Sequence, residues 1–185
     1  MTQTAEKLAT YEDLLAVPEH LVAEIIHGQL HTSPRPAPRH ARASSSLGVQ
    51  ITNPYDFGND GPGGWWILDE PELHLGAHVL VPDLAGWRRE RMPELPDTAW
   101  FELPPDWVCE VLSPSTASID RSQKMPVYAE FGVRWIWLVD PDVQTLEAYE
   151  LEEGRWVLLD TLAGDAQVAV RPFDAVPFAL DALWA

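Results

Sequence analysis

Three carboxylates occupy runs where a charge is expensive to keep. Glu24 sits in Val22-Ala23-Glu24-Ile25-Ile26, Asp83 in Val79-Leu80-Val81-Pro82-Asp83-Leu84-Ala85, and Glu110 in Trp107-Val108-Cys109-Glu110-Val111-Leu112. Each run reads as a strand, and an unpaired charge buried in a strand is costly. Carboxylates from separate strands converge when a cation lies between them. A hard divalent ion such as Mg²⁺, or Mn²⁺ in its place, meets that need with a few carboxylates and waters. The chain has two lysines, Lys7 and Lys124; its other ten bases are arginines. Lys124 stands alone in an apolar-rich segment. Each residue also has an ordinary reading: Glu110 paired with an arginine, Asp83 forming a strand-end turn, Glu24 facing water on an edge hairpin, Lys124 decorating a surface.

Other polar residues carry less. The pairs His27/His31 and His74/His78 have a spacing that suits a metal on a helix. Both flank turns in strand-like runs, where four residues span ~13 Å, so a ligand role is disfavoured. Ser113, Ser115 and Thr116 read as turn and N-cap residues rather than nucleophiles. Trp65-Trp66, beside a glycine loop, offer either base stacking or packing.

The elements that must position these groups follow from pattern. Thr10-Tyr11-Glu12-Asp13 has the form of a capping box and predicts a short helix ending before Pro18. Leu21 to Thr32 reads as a hairpin turning at His27-Gly28. Ser33 to Pro38 is a rigid linker, followed by a helix from Arg39 to about Asn53 with Ala43, Leu47 and Ile51 on one face. Trp65 to Leu75 and Val79 to Trp87 read as two strands across Gly76-Ala77-His78. Residues 88–105 read as a loop or short helix. Asp106 to Leu112 is a strand apolar enough to be buried on both faces. A helix from about Ala117 to Phe131 follows, closed by Gly132, with Pro126 predicting a kink or a late start. Trp135 to Asp140 is another buried strand, Leu146 to Tyr149 and Trp156 to Leu159 a final hairpin, and Val168 to Trp184 a strand plus a turn of helix. The strand–helix–strand unit over 107–139 implies a parallel pair with a crossover helix. The class is α/β with a mixed sheet. A cupin-type β-sandwich is disfavoured by that crossover and by the scattered histidines.

Pro82-Asp83 and Glu110, with 26 residues between the two acids, resemble the bipartite signature of the PD-(D/E)XK nuclease superfamily. There the two acids hold a metal, and a lysine two places after the second acid polarises water. Here Leu112 takes that place. A narrower resemblance accounts for the departure. Tyr11-Glu12-Asp13, Glu24 with His27-Gly28, His40, Val81-Pro82-Asp83, Glu110 through Thr116, Asp120, Lys124, Tyr128, Gly132-Val133 and Trp137 through Pro141 together look like the Uma-type family of bacterial restriction-endonuclease-like proteins. The likeness spans about residues 11 to 157. It implies a restriction-endonuclease-like core, a central mixed sheet flanked by helices with extra hairpins, and a lysine moved from the strand to the following helix, here Lys124. It further implies Asp83, Glu110 and the Val111 backbone carbonyl as metal ligands. Glu24 would complete the acidic cluster or bind a second metal, Lys124 would orient the water or the scissile phosphate, and His40, which matches the family pattern, is with its neighbours Arg39 and Arg42 a candidate phosphate contact.

At 185 residues, 46% hydrophobic and 22% charged, the chain is expected to be one globular domain. Residues 10–32 form an N-terminal helix and hairpin, 39–160 the core and 161–185 an extension. One cysteine, Cys109, excludes a disulfide framework within the chain. No run approaches the ~20 apolar residues of a membrane helix, and Met1 to Lys7 lacks the order of a signal peptide, so a cytoplasmic protein is expected. Twenty-nine acids against twelve bases give a net charge of −17. That field repels phosphate backbones and argues against an indiscriminate DNA coat. Six of the ten arginines lie in two clusters, Arg35/Arg39/Arg42 and Arg88/Arg89/Arg91. The apolar, aromatic-rich tail suggests a homodimer. The reading is a Mg²⁺-dependent endonuclease acting on nucleic acid, DNA first. The alternative is a non-catalytic interaction module that keeps the fold, favoured by the acidity and by Leu112. On the enzyme reading, Lys124→Ala is expected to leave folding nearly unchanged.

Overall fold

The computed structural model describes residues 8–184; residues 1–7, Lys7 among them, and residue 185 lie outside the described residues. The chain is a mixed α/β fold. Its six-stranded sheet runs β10-β9-β8-β7-β6-β3, and a second, four-stranded sheet runs β2-β1-β5-β4. The strands of the large sheet are β3 (Trp65–Asp69), β6 (Leu84–Arg88), β7 (Trp107–Val111), β8 (Trp135–Asp140), β9 (Thr145–Glu152) and β10 (Arg155–Ala163). Those of the small one are β1 (Leu21–Ile26), β2 (Gln29–Pro34), β4 (Leu73–Leu75) and β5 (His78–Leu80). Strands β7 and β8 are parallel and every other pair is antiparallel, as the crossover required.

Side-chain alternation along β7 sorts the core into two layers. Trp107, Cys109 and Val111 face helix α2 (Pro38–Tyr55), through Ala43, Leu47 and Ile51, and the C-terminal tail. Val108 and Leu112 face the crossover helix and the small sheet, where they meet Val127, Tyr128, Leu80 and Ile26. Glu110 therefore projects into the second layer.

Two expected elements take a different form. The long hairpin over residues 65–87 is interrupted on both arms, at Glu70-Pro71, where Glu70 has φ 45°, and at Val81-Pro82. Proline brings no N–H to a ladder, so β3 and β6 stay in the large sheet while β4 and β5 join the small one. Asp83 stands at this corner, one residue before β6, rather than within a strand. The crossover helix neither breaks nor starts late at Pro126. It runs as α3 (Ala117–Ile119), a π-helical turn (Asp120–Lys124) and α4 (Met125–Glu130). Pro126 has no N–H for the Ser122 carbonyl that an α-helical register would offer it. The wide turn, in which the Met125 N–H reaches the Asp120 carbonyl, absorbs that defect.

Smaller differences have plain causes. The linker adds Ser33 and Pro34 to β2, and Pro38 opens α2 as its first residue, a position where a missing N–H costs nothing. Residues 88–105 form turns without a helix. The tail is mostly irregular, with β11 (Gln167–Val168), β12 (Phe178–Ala179) and a 3₁₀ turn at Leu180–Leu183. Phe178, Leu180 and Leu183 are buried against the chain's own sheet, so the apolar tail that suggested a homodimer is consumed within the protomer. Among the described residues no helix is long and apolar enough to cross a membrane.

Trp137 anchors the layer beneath α2. It is fully buried, meets Trp107 edge-on at 5.5 Å between ring centroids, and donates from its indole N–H to the Arg171 carbonyl. Trp137→Ala is expected to cost about 3–5 kcal/mol of folding stability, measured by urea denaturation. A loss below about 1 kcal/mol would contradict this packing.

Candidate active site

The small sheet, the corner at Asp83 and the carboxyl end of β7 enclose a cavity of about 300 Å³. Ligand sites in α/β folds favour this end of the parallel strands. Glu24, His40, Asp83, Glu110, Asp120 and Lys124 all line it. Glu24 arrives from β1, and its Oε1 accepts from the Val81 N–H at 2.8 Å, which ties the two arms of the corner together. Asp83 comes next to β7 because Leu84 pairs with Cys109; its Oδ2 accepts from the Val111 N–H at 2.7 Å. His40, at the start of α2, brings Nε2 to 3.3 Å from Asp83 Oδ1.

Lys124 lies at the centre. Its Nζ is 2.8 Å from Glu110 Oε1, 3.0 Å from Glu24 Oε1 and 3.6 Å from Asp120 Oδ1, with the side chain 4% exposed. The Tyr128 hydroxyl donates to the same Glu110 oxygen at 2.6 Å and fixes its rotamer. Burial alone would push the Lys124 pKa down, but Glu110, Glu24, Tyr128 and Asp120 outweigh it and hold the ammonium well above its usual range. Burial raises the Glu110 carboxyl well above its ordinary value against the pull of Lys124, and raises Asp120 in the same way. The acids outnumber the single ammonium, so burial and mutual repulsion among the acids favour the neutral form of Glu110 and Asp120 while Lys124 favours the charged one. At His40 burial opposes the charged form, yet the Asp83 hydrogen bond and charge, with the Val111 carbonyl, leave its pKa raised.

The donor set has the chemistry of a hard-cation site: carboxylate oxygens and a backbone carbonyl at one strand end. It is not a preformed cage. Among the described residues no group of three or more His, Cys, Asp or Glu side chains is arranged to hold an ion; the ammonium takes the central position among Glu24, Glu110 and Asp120.

Other expected contacts lie elsewhere. Arg42 is exposed and reaches the Ala182 carbonyl, and Arg39 lies beside Pro141, Gln144 and Trp184; neither lines the acidic cavity. Arg35 does, at its rim, 3.8 Å from Glu70. His78 accepts from the His27 N–H, and His74 binds Glu72. Ser113, Ser115 and Thr116 line the cavity as a hydroxyl cluster that shapes the turn into the crossover helix. Trp65 is buried, and Trp66 donates to the Met92 carbonyl beneath the Arg89 guanidinium, so both pack. Asp120, to which the sequence assigned no role of its own, is a full member of the acidic group. Its spacing of four from Lys124 was the available signal.

A family model described as "Uma2: Putative restriction endonuclease" matches residues 8–181. The chain belongs to the Uma2 family. A crystal structure of "a putative nuclease belonging to DUF820" from Anabaena variabilis ATCC 29413 is similar in fold, with a TM-score of 0.75 and 24% identity, covering 95% of this chain and 97% of the other. No curated protein matches the chain. In this Uma2 chain the place two residues after Glu110 holds Leu112, which is buried in the layer with Val108 and Ile136, so a lysine there would put its stem into the core.

The geometry overturns the expectation that Lys124→Ala spares folding. The substitution leaves buried carboxylates without their counter-charge and should destabilise the chain by about 3–5 kcal/mol near neutral pH. The raised Glu110 and Asp120 carboxyls take up protons as pH falls, so the penalty should shrink toward about pH 5. Urea denaturation at both pH values checks this; an equal penalty at both would contradict it.

Proposed function

We propose that this chain is a metal-dependent nuclease that hydrolyses nucleic-acid phosphodiesters in the acidic cavity. The observation that carries the reading is Lys124, delivered from the crossover helix to 2.8 Å from Glu110 at the strand end that also holds Asp83. Family membership supports the same chemistry. Asp83, Glu110 and the Val111 carbonyl would hold Mg²⁺ or Mn²⁺, with Glu24 completing the acidic wall. Such an ion, when bound, neutralises charge developing on the phosphate and lowers the pKa of a bound water.

The chain's own residues set the rest. Tyr128 and the Val111 N–H hold Glu110 and Asp83 in fixed orientations. Lys124 is kept charged by its acidic neighbours, so it orients water or a phosphate oxygen electrostatically rather than taking a proton. His40, held by Asp83 and charged to higher pH than a free imidazole, offers a second positive group to phosphate. The buried walls exclude bulk water and strengthen each of these interactions.

The second reading, a non-catalytic module, is favoured by a cluster already neutralised internally and by Leu112. Purified protein tested with Mg²⁺ and Mn²⁺ on labelled oligonucleotides separates the two. Metal-dependent cleavage is expected, and Asp83→Asn should lower it about a hundredfold or more, the equivalent of several kcal/mol of charge stabilisation. Cleavage that persists in Asp83→Asn, or none with either metal, would overturn the proposal.

A further inference from the structure

The two larger sheets end in the edge strands β10, β3, β2 and β4. An edge strand presents unpaired backbone N–H and C=O groups, and soluble proteins cover them or break them with proline, lysine or inward charge. β3 is covered. The Asp56 carboxylate accepts from the Ile67 N–H at 3.0 Å, and the Arg89 guanidinium donates to the Trp65 carbonyl at 2.9 Å. β4 is covered by Phe101, whose backbone bonds Glu72 and His74. β2 has six residues and ends at Pro34, which has no N–H to offer. β10 is the longest of the four edges, with nine residues, and contains neither proline nor lysine. Among the described residues no backbone group of residues 155–160 bonds outside the pairing with β9. Val157 and Leu158, in this open stretch, are 40% and 51% exposed.

The occupant follows from charge and register. A chain of net charge −17 repels its own copy over most of its surface, but β10 carries one cation, Arg155, and one anion, Asp160. Neither has an ion-pair partner among the described residues. Arg155, Val157 and Asp160 pair with Glu152, Glu150 and Ala148, alternate residues of β9, and so share one face of the sheet. Trp156 and Leu158 pair with Leu151 and Tyr149 and share the other. Asp160 joins the face of Arg155 because Leu159 is bulged out of the ladder between Leu158 and Asp160. A second copy laid antiparallel along this edge, about a two-fold axis at Val157, therefore matches in every pair. Val157 meets its own copy, Trp156 meets Leu158, and Arg155 meets Asp160 past the bulge. Apolar pairs occupy the centre and an opposite-charge pair closes each end, the arrangement that stabilises cross-strand neighbours. The contact is self-complementary, as a closed two-fold interface must be.

We propose that β10 is a dimerisation edge, at which two copies of this chain pair antiparallel about Val157 and join their large sheets into one. The proposal is independent of the nuclease reading. Sedimentation equilibrium on the full chain at micromolar concentration tests it. A particle of twice the 20.7 kDa chain mass is expected. Val157→Lys sets two ammonium groups against each other on the axis and should give monomer; because the site is half exposed, the urea midpoint should hardly move. Arg155→Asp should weaken the dimer roughly tenfold, since a favourable pair becomes a repulsive one twice over by symmetry. Arg155→Asp/Asp160→Arg restores opposite charges across the edge and should recover the dimer, which keeps the proposal testable even if Val157→Lys fails to fold. A monomeric wild-type chain would overturn the proposal. So would a dimer that survives Val157→Lys, or one that Arg155→Asp leaves unchanged or the double variant fails to restore.

Discussion

The structure depends on one electrostatic constraint: several acids from separate elements share a buried strand end with a single ammonium. A carboxylate alone at Glu110 would carry a heavy desolvation cost. Lys124 at 2.8 Å and the Tyr128 hydroxyl at 2.6 Å together offset it. The ammonium takes the central position among Glu24, Glu110 and Asp120, and among the described residues no group of three or more acidic, His or Cys side chains is arranged to hold an ion.

Two backbone irregularities serve this constraint. The corner at Glu70-Pro71 and Val81-Pro82 moves a hairpin from one sheet to the other, which lets Glu24 of the small sheet and Asp83 at the corner line one cavity. The π turn at Asp120–Lys124 brings Asp120 and Lys124 to the same side of the crossover helix, as their 3.6 Å contact attests. Wide turns of this kind recur at functional sites. Here the turn also accommodates Pro126, so one local defect solves two problems. With Leu112 buried in the core, a lysine at that strand position would put its stem among apolar side chains, and the lysine that does reach Glu110 comes from the crossover helix.

Much of this was legible in the sequence because buried parallel strands leave strong marks. Trp107–Val111 and Trp135–Asp140 are apolar on both faces, and their separation demanded a crossover. The three acids stood out against that background, and so did an isolated lysine. What stayed hidden was set by tertiary partners. Nothing in residues 65–87 says that prolines will divide one hairpin between two sheets. Arg39 and Arg42 flank His40 in sequence, but helical periodicity turns them away from the cavity that His40 enters. The tail read as an interface because its apolar residues gave no sign of which sheet they would cover. The burial of Lys124 was the costliest omission, since a lysine read as a free catalytic group was expected to be dispensable for folding.

The central claim is that Lys124 and Glu110 are mutual counter-ions inside the fold. A double-mutant cycle with Lys124→Met, Glu110→Gln and both together, followed by urea denaturation near neutral pH, measures it most directly. A coupling of about 2–3 kcal/mol, with the double variant less destabilised than the sum of the single ones, is the predicted result. A coupling below about 0.5 kcal/mol, the value for independent sites, would contradict it.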